Sequence, residues 1–252
     1  MFALTHLPSP RMADCLRMHA DGPPIDAARA VRQHAEYRRM LARAGAAVES
    51  LDANLEWPDA VFIEDTAIVL DEAAVLCSMG HPARRGEPAG VEPALRRIRE
   101  IERIELPATI DGGDVLRIGR RLLVGLSGRT NAAGVEALAA IVRRHGYAVE
   151  AVHVPGALHL KSACTALPDG RLLANPAWLG DGVPREFEIV PVPADEPHAA
   201  NVALVGDTVC AAAGHPRTAE AIRALGFRLE TTDLSEFANA DGCTTCLSLL
   251  FA

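Results

Sequence analysis

Side chains that could take part in chemistry recur along the chain at intervals of about 40 to 50 residues. Carboxylates come first, in PDAVFIED and DGGD, followed by HLK, by HAAN and by DGCTTC. A thiolate is the nucleophilic form of cysteine, a nearby histidine favours it, and a carboxylate on the imidazole fixes its orientation. The set therefore indicates attack by a cysteine on a cationic carbon. Its members are Asp59, Glu64, Asp65, Asp111, Asp114, His159, Lys161, His198, Asn201, Asp241 and Cys246.

The charged residues in these motifs indicate what kind of molecule would be bound. Carboxylates would bind a cationic head group, and Arg84 and Arg129 would bind a carboxylate tail in bidentate geometry. Acids at one end and arginines at the other predict a pocket shaped for arginine or a derivative of it.

Each motif also has an ordinary structural interpretation. Cys243 and Cys246 could be a redox pair, half of a zinc site or two buried thiols. His159 lies among apolar neighbours, which is typical of a core histidine, and DGGD is common turn chemistry. The shared spacing, rather than any single motif, favours the functional interpretation.

The elements that would position these residues form a repeating pattern. Short apolar runs occur in pairs joined by tight polar turns, which is typical of β-hairpins. The predicted pairs are Ala60–Leu70 with Ala73–Met79, Val115–Ile118 with Leu122–Leu126, Cys164–Leu167 with Leu172–Asn175, and Asn201–Val205 with Thr208–Ala213. A helix and one further strand are predicted after each pair, with a short or broken helix in the third unit. The predicted helices are Val91–Ile101, 131–145, Ala177–Phe187 and Pro216–Leu225. The strands that follow them are Arg103–Leu106, Ala148–Val154, Glu188–Val192 and Phe227–Glu230, in the same order.

The two ends of the chain supply a fifth unit if they are joined. It would comprise strand Cys246–Phe251, strand Phe2–Leu7, helix Asp26–Ala44 and strand Ala47–Leu51, with Ala28, Val31, Ala35 and Leu41 on the buried helix face. We therefore predict an α/β fold of five ββαβ units in a ring, forming one catalytic domain over residues 1–252. Equivalent positions would then meet at the centre. An open α/β sheet with hairpin insertions is the alternative.

Composition narrows the classes of protein that remain. Of the 252 residues, 49% are apolar and 23% are charged, which excludes a disordered or fibrous chain. A net charge of -8 argues against nucleic acid or anionic lipid as a partner. Neither a leader segment nor a membrane-spanning apolar run is expected, and six sparse cysteines suit a reducing compartment. We therefore expect a cytoplasmic protein.

Over nearly its whole length the sequence resembles the dimethylarginine dimethylaminohydrolases of the guanidine-modifying pentein superfamily. The likeness is densest in PDAVFIEDTAIV, ARRGE, TIDGGDVL, VGLSGRTNAAG, LHLKSAC, AANV and ADGCTTCLSL. It implies a five-bladed fold, with Cys246 as nucleophile, His159 as acid and base, and Asp111 orienting His159. Asp65 would pair with the guanidinium of the substrate, and Glu64 would support Asp65.

The resemblance also implies the remaining substrate contacts. Asp59 would contact the α-amino end, Arg84 and Arg129 the carboxylate, and the Ala240 carbonyl the guanidinium. Ala240 is smaller than the aliphatic residue usual in the family, which bears on methyl-group packing. A lid near the N-terminus would correspond loosely to Leu16–Asp21.

The implied activity is hydrolysis of Nω-methylated arginine to citrulline and a methylamine through a covalent thiouronium on Cys246. No cofactor or catalytic metal is implied, although Cys246 and His159 could bind inhibitory zinc. The expected partner is a small guanidino amino acid, and a homodimer is left open. Three alternatives remain: a hydrolase of unmethylated arginine or another small guanidine, a non-catalytic arginine-binding protein of this fold, and a thiol redox protein.

Overall fold

Paired apolar runs joined by tight turns form four hairpins in the computed structural model, which describes residues 1–18 and 22–252. The strands are β1 Phe2–His6, β2 Ala47–Leu51, β3 Ala67–Val69, β4 Ala73–Leu76, β5 Glu100–Arg103, β6 Val115–Ile118, β7 Arg121–Leu126, β8 Ala148–His153, β9 Cys164–Ala166, β10 Leu172–Ala174, β11 Ile189–Pro191, β12 Ala203–Val205, β13 Thr208–Ala212, β14 Arg228–Thr232 and β15 Ser248–Phe251. The α-helices are α1 Ala27–Arg43, α2 Glu87–Arg96, α3 Ala132–Val142, α4 Leu160–Ala163, α5 Pro216–Ala224 and α6 Ser235–Ala238.

Each sheet has three strands and the same topology. The central strand pairs antiparallel with its hairpin partner and parallel with the strand that returns after the connection. The strand orders are β3-β4-β5, β6-β7-β8, β9-β10-β11, β12-β13-β14 and β15-β1-β2. In the last sheet the two ends of the chain pair, with Phe2 opposite Phe251. The predicted five ββαβ units are confirmed.

The first strand of every unit faces a common centre. A cavity of about 220 Å³ is lined by residues of β3, β6, β9, β12 and β15, so these five strands surround one axis. Apolar side chains of neighbouring units pack between the sheets; Ile63 and Leu95, for example, share a cluster with Leu4 and Leu249. None of the helices in the described part of the chain is long and apolar enough to cross a bilayer.

The predicted strand Ala60–Leu70 is wrong over its first half. Residues Ile63–Thr66 form a 3-10 helix, and the strand begins only at Ala67. The Thr66 hydroxyl donates to the Ile63 carbonyl at 2.7 Å and so supports the tight turn. A short apolar run fits a buried turn as well as a strand, and the pattern alone does not separate them.

The predicted boundaries in the same unit are also shifted. The helix occupies α2, not Val91–Ile101, and the following strand is β5, not Arg103–Leu106. Pro88 in the first turn favours the earlier start, since proline is tolerated there. Ile98, which lies within the predicted helix range, is 41% exposed. In the third unit the connection contains only the 3-10 helix Pro176–Trp178, in line with the predicted broken helix.

Helix α1 is in the predicted place but buries a different face. Asp26 caps it by accepting from the Arg29 N–H. Val31 is 53% exposed, whereas Gln33 is buried. The Gln33 amide bonds to Ser235 and to the Glu236 N–H, and such partners make a polar residue acceptable inside.

Candidate active site

A single turn precedes the inner strand in four of the five units and carries the reactive side chains. The turns are the 3-10 helices Ile63–Thr66, Gly112–Asp114 and Thr245–Leu247, and the short helix α4. Asp111 and His159 are the residues just before two of these turns. Because the inner strands surround one axis, the turns meet at one end of it.

The His159 imidazole lies between two carboxylates. Its Nε2 is 3.1 Å from Asp111 Oδ2 and 3.8 Å from Asp65 Oδ1, and all three side chains are buried. Burial by itself lowers the pKa of His159, but Asp65, the hydrogen bond with Asp111 and the charge of Asp114 outweigh it and raise the pKa to about 9. The imidazole is therefore protonated at neutral pH.

Asp65 is held as a carboxylate by cations on two sides. Burial raises the pKa of Asp65, but His159 and Arg84 more than compensate and lower it to about 2. Its Oδ1 also accepts from the Gly113 N–H at 3.0 Å. A Cβ on Gly113 would lie 2.6 Å from that oxygen and 2.8 Å from His159 Nδ1, so only glycine fits here.

The expected separation of acids from arginines is wrong. The Arg84 guanidinium donates to Asp65, to the Phe62 carbonyl and twice to the Glu87 carboxylate. Four of its five N–H groups are engaged in this way, and Arg84 is 4% exposed. Buried carboxylates need paired cations, and Arg84 meets that need instead of standing apart at a tail site.

Arg129 is better placed to reach a ligand. Its Nη1 is 3.4 Å from Asp111 Oδ2, and its side chain keeps 14% exposure. Asp111 is further fixed because its Oδ1 accepts from the Gly80 N–H at 2.8 Å and its own N–H donates to Thr130 Oγ1. These contacts hold Asp111 in position independently of its hydrogen bond with His159.

Cys246 lies in the turn before β15 and is 7% exposed. Its Sγ accepts from the Cys243 N–H at 3.3 Å, and within the described residues no hydrogen bond joins it to His159. The Cys243 thiol, burial and the charges of Glu64 and Asp65 raise the pKa of the Cys246 thiol well above its ordinary value. The charge of Asp65 thus raises the pKa of both the Cys246 thiol and the His159 imidazole.

Glu64 supports the turn that contains Cys246. Its carboxylate is 2.5 Å from Lys161 Nζ and accepts from Thr245 Oγ1 at 2.7 Å. Asn201 completes the network, since it accepts from the Thr245 N–H and donates to the Thr245 hydroxyl and the Lys161 carbonyl. These contacts hold the turn that contains Cys246.

Asp59 and Asp241 anchor the N-terminal segment. The Asp59 carboxylate accepts from the Leu16 N–H at 3.1 Å, and Asp241 Oδ2 accepts from the Met18 N–H at 2.5 Å. Of the expected lid Leu16–Asp21, residues 19–21 lie outside the described residues. Ala240 is 3% exposed and belongs to the same apolar cluster as Cys246.

Two acids that sequence reasoning left without a role are structural partners of the site. Asp114 accepts from Ser127, Thr130 and the Leu160 N–H and so fixes the residue after His159. Glu87 pairs with Arg84. Asp114 had a signal in its position within DGGD, whereas Glu87 had one only as the last residue of the motif ARRGE.

Three donor atoms could hold a metal ion. One ligand atom each from Asp65, Asp111 and His159 lies within 4.8 Å of the others. Cys246, expected to join His159 in binding inhibitory zinc, is not part of that group within the described residues.

The comparisons with known proteins agree with this geometry. The arginine deiminase family model matches residues 54–204. N(G),N(G)-dimethylarginine dimethylaminohydrolases from Streptomyces coelicolor and Pseudomonas aeruginosa are 41% and 34% identical; the first alignment covers 98% of this chain and 95% of the relative, and the second covers 98% of each. A solved structure of the Pseudomonas aeruginosa enzyme, a cysteine-to-serine mutant complexed with citrulline, superposes with a TM-score of 0.93 at 33% identity, covering 99% of this chain and 98% of that one. The chain belongs to the dimethylarginine dimethylaminohydrolase family and has its five-bladed pentein fold.

Proposed function

We propose that the protein hydrolyses Nω-methylated L-arginine to L-citrulline and a methylamine, with Cys246 as nucleophile. The observation that carries the proposal is the buried cluster of Asp65, His159 and Asp111 beside the Cys246 turn. Relatives that span nearly the whole chain are dimethylarginine dimethylaminohydrolases, and one of them was solved with citrulline, which supports this substrate class.

The proposed contacts of the substrate follow from charge and burial. Asp65 pairs with the guanidinium, supported by its low pKa, which keeps it anionic. Arg129, which keeps some exposure, binds the substrate carboxylate. Arg84 orients Asp65 and, with the N–H that these bonds do not use, adds a second contact to the same carboxylate. Asp59, next to the N-terminal segment, receives the α-amino group.

The Ala240 carbonyl and the apolar residues around it border the methylated nitrogen. Phe62 and Cys246 belong to the same apolar cluster. Ala240 is smaller than the aliphatic residue usual in the family, so a methylated nitrogen would make fewer apolar contacts there.

The bound cation changes the protonation of the nucleophile. Cys246 resists ionisation because it is buried among acids. A guanidinium on Asp65 compensates that negative charge, so the thiol releases its proton to solvent as the substrate binds. Nucleophile activation is thereby tied to a cationic ligand.

The first half-reaction transfers the amidine carbon to sulfur. The thiolate attacks the guanidinium carbon and forms a C–S bond. The His159 imidazolium then gives its proton to the departing nitrogen, the C–N bond breaks, and a methylamine leaves. A thiouronium remains on Cys246, and His159 is left neutral, with Asp111 holding the ring in place. General acid catalysis of this kind contributes about 10² to 10⁴ in rate.

The second half-reaction returns the enzyme to its starting state. Neutral His159 takes a proton from water while the water oxygen attacks the thiouronium carbon. The C–S bond then breaks, the remaining hydroxyl proton passes to the departing sulfur, and citrulline and the Cys246 thiol are released. His159 ends protonated, ready for another turnover.

We further propose that residues 1–252 act as one catalytic domain in the cytoplasm. A reducing compartment suits a site that needs a free thiol, and all six cysteines are free. A homodimer stays open.

A citrulline assay with dimethylarginine, monomethylarginine and arginine at matched concentrations tests the activity. We expect turnover of a methylated arginine with the higher kcat/KM. Equal or faster turnover of arginine would identify a deiminase instead, and tight binding without turnover would identify an arginine-binding protein.

A further inference from the structure

Cys243 and Cys246 are the first and last residues of a four-residue segment that leads into the turn Thr245–Leu247. Thr244, the first residue between them, has helical backbone angles of φ −61 and ψ −43. A four-residue turn brings its end Cα atoms within about 7 Å, and disulfides join Cα atoms about 4.4–6.8 Å apart. The Cys243 N–H already touches Cys246 Sγ at 3.3 Å. Rotation about the Cα–Cβ bonds can therefore bring the two sulfurs together.

Cys243 differs from the other cysteines in its access to solutes. Of the six, all within the described part of the chain, it is the one that is not buried. It lines a cavity of about 260 Å³ together with Trp178, His198 and Asp241. Elsewhere, burial raises the pKa of Cys164 and Cys210 to about 12, which keeps those thiols unreactive. A small oxidant thus meets Cys243 first.

We infer that Cys243 is a redox partner of Cys246, and that a peroxide converts the pair into a reversible disulfide that removes the nucleophile. The inference rests on the proposed function only for the activity that is lost. The disulfide itself is a property of the two thiols.

The reaction proceeds in two balanced steps. The Cys243 thiolate attacks one peroxide oxygen, an S–O bond forms, the O–O bond breaks, and hydroxide leaves and takes up the thiol's proton. The Cys246 sulfur then attacks the sulfenic sulfur of Cys243 while its thiol proton passes to the sulfenic oxygen, an S–S bond forms, and the S–O bond breaks to give a second water. Two thiols are oxidised and one peroxide is reduced to two waters. A dithiol reductant reverses the change by thiol–disulfide exchange.

The disulfide would also protect the nucleophile. A sulfenic acid without a neighbouring thiol is oxidised further to sulfinic acid, which is not readily reversed. If the sulfenic acid forms on Cys246 instead, Cys243 lies close enough to react with it before further oxidation. We therefore expect a reversible loss of activity instead of irreversible oxidation of Cys246.

Mass spectrometry and the citrulline assay together test the inference. The full-length protein is treated with hydrogen peroxide, quenched, alkylated under denaturing conditions and digested, and citrulline formation is measured before and after dithiothreitol. We expect the peptide with both cysteines to lose two hydrogens and resist alkylation. Activity should fall at least about tenfold and return with the reductant.

Three variants make the result specific. Cys243→Ser should give no lighter peptide, and whatever activity it loses to peroxide should not return with dithiothreitol; Cys243→Ala repeats this if the serine variant is misfolded. Cys164→Ser, which alters a buried thiol of another unit, should behave like the wild type. Each variant is compared with its own reduced form.

The outcomes separate the two proposals. A lighter peptide in a protein that makes no citrulline would contradict the proposed function and leave the disulfide standing. Citrulline formation without a lighter peptide after peroxide, or with a lighter peptide but no change in rate, would overturn the inference.

Discussion

The Arg84 guanidinium donates to the Asp65 carboxylate at 2.6 Å, and both side chains are 4% exposed. A pair buried this deeply stabilises only if its remaining hydrogen-bonding groups are satisfied. Glu87 and the Phe62 carbonyl meet that condition for Arg84. Asp65 is thereby fixed in charge and direction by the protein itself.

Replacing the nucleophile should stop turnover without unfolding the protein. We expect Cys246→Ser to lower citrulline formation at least about 10³-fold, because a serine hydroxyl is a far weaker nucleophile at neutral pH. Binding of citrulline, measured by calorimetry, should persist. Cys164→Ser is the control, and substantial turnover by Cys246→Ser would rule out thiolate catalysis.

Neutralising Asp65 should affect both binding and stability. Asp65→Asn leaves Arg84 without one buried partner, so we expect a loss of about 3 kcal/mol in the free energy of unfolding and about 10² in kcat/KM. Asp71→Asn makes the same change at an exposed pair with Arg117 and should cost under about 1 kcal/mol. Lys161, the other cation beside these acids, is not a suitable control, because Lys161→Ala would leave buried Glu64 without its ion-pair partner. Equal effects of the two asparagine variants would place the guanidinium elsewhere.

The raised pKa of His159 predicts how stability depends on pH. The imidazole ionises near 6.5 in the unfolded chain and at about 9 in the folded protein. The folded state binds the extra proton between these values, so the stabilisation is complete below pH 6.5 and is lost as pH rises through about 9. We expect a contribution on the order of 3 kcal/mol, measured by urea unfolding at several pH values. His159→Asn should flatten the curve in this window; an unchanged slope would mean that His159 is neutral.

Glycine at position 113 should be required for the geometry of the cluster. In Gly113→Ala the new methyl group would lie against Asp65 Oδ1 and His159 Nδ1, which are part of the catalytic geometry. We expect kcat to fall at least about tenfold, with a loss of about 1–3 kcal/mol in stability. Gly214→Ala, where no atom lies within 4 Å of the added carbon, is the control. Normal kcat in Gly113→Ala would show that the cluster tolerates displacement.

A chelator should leave activity unchanged or raise it. The proposed steps use a thiol, an imidazole and water, while Asp65, Asp111 and His159 are close enough to capture stray zinc. We expect added zinc to inhibit citrulline formation and EDTA to restore it. Activity that disappears with EDTA and returns with a metal ion would contradict this expectation.

The sequence was sufficient to predict the repeat and the approach of Asp65, Asp111 and His159. Tight turns such as Gly206-Asp207 separate the hairpin strands, and the spacing of Asp65, Asp111, His159 and Cys246 follows the units. Once the units close into a ring, these side chains must converge. This convergence depends only on the order of strands and helices along the chain, which the pattern of apolar residues predicts well.

The partners inside the cluster could not be predicted in the same way. Arg84 and Glu87 face each other because their segment is a turn leading into a helix, and Arg84 reaches Asp65 from 19 positions away. Which buried acid takes which cation depends on distances of a few ångströms. Nor does the apolar run before Glu64 show that it folds as a 3-10 turn, which decides where the two acids point.

The pairing of β1 with β15 has a consequence for how the chain may be cut and rejoined. Phe2 lies opposite Phe251, so both ends of the polypeptide are neighbours on one sheet. A short linker could join them, and new ends could be opened at the exposed Gly206-Asp207 turn. Such a circular permutant would keep every blade beside its native neighbours. The fold therefore requires a given order of blades around the ring but not a given starting point along the chain.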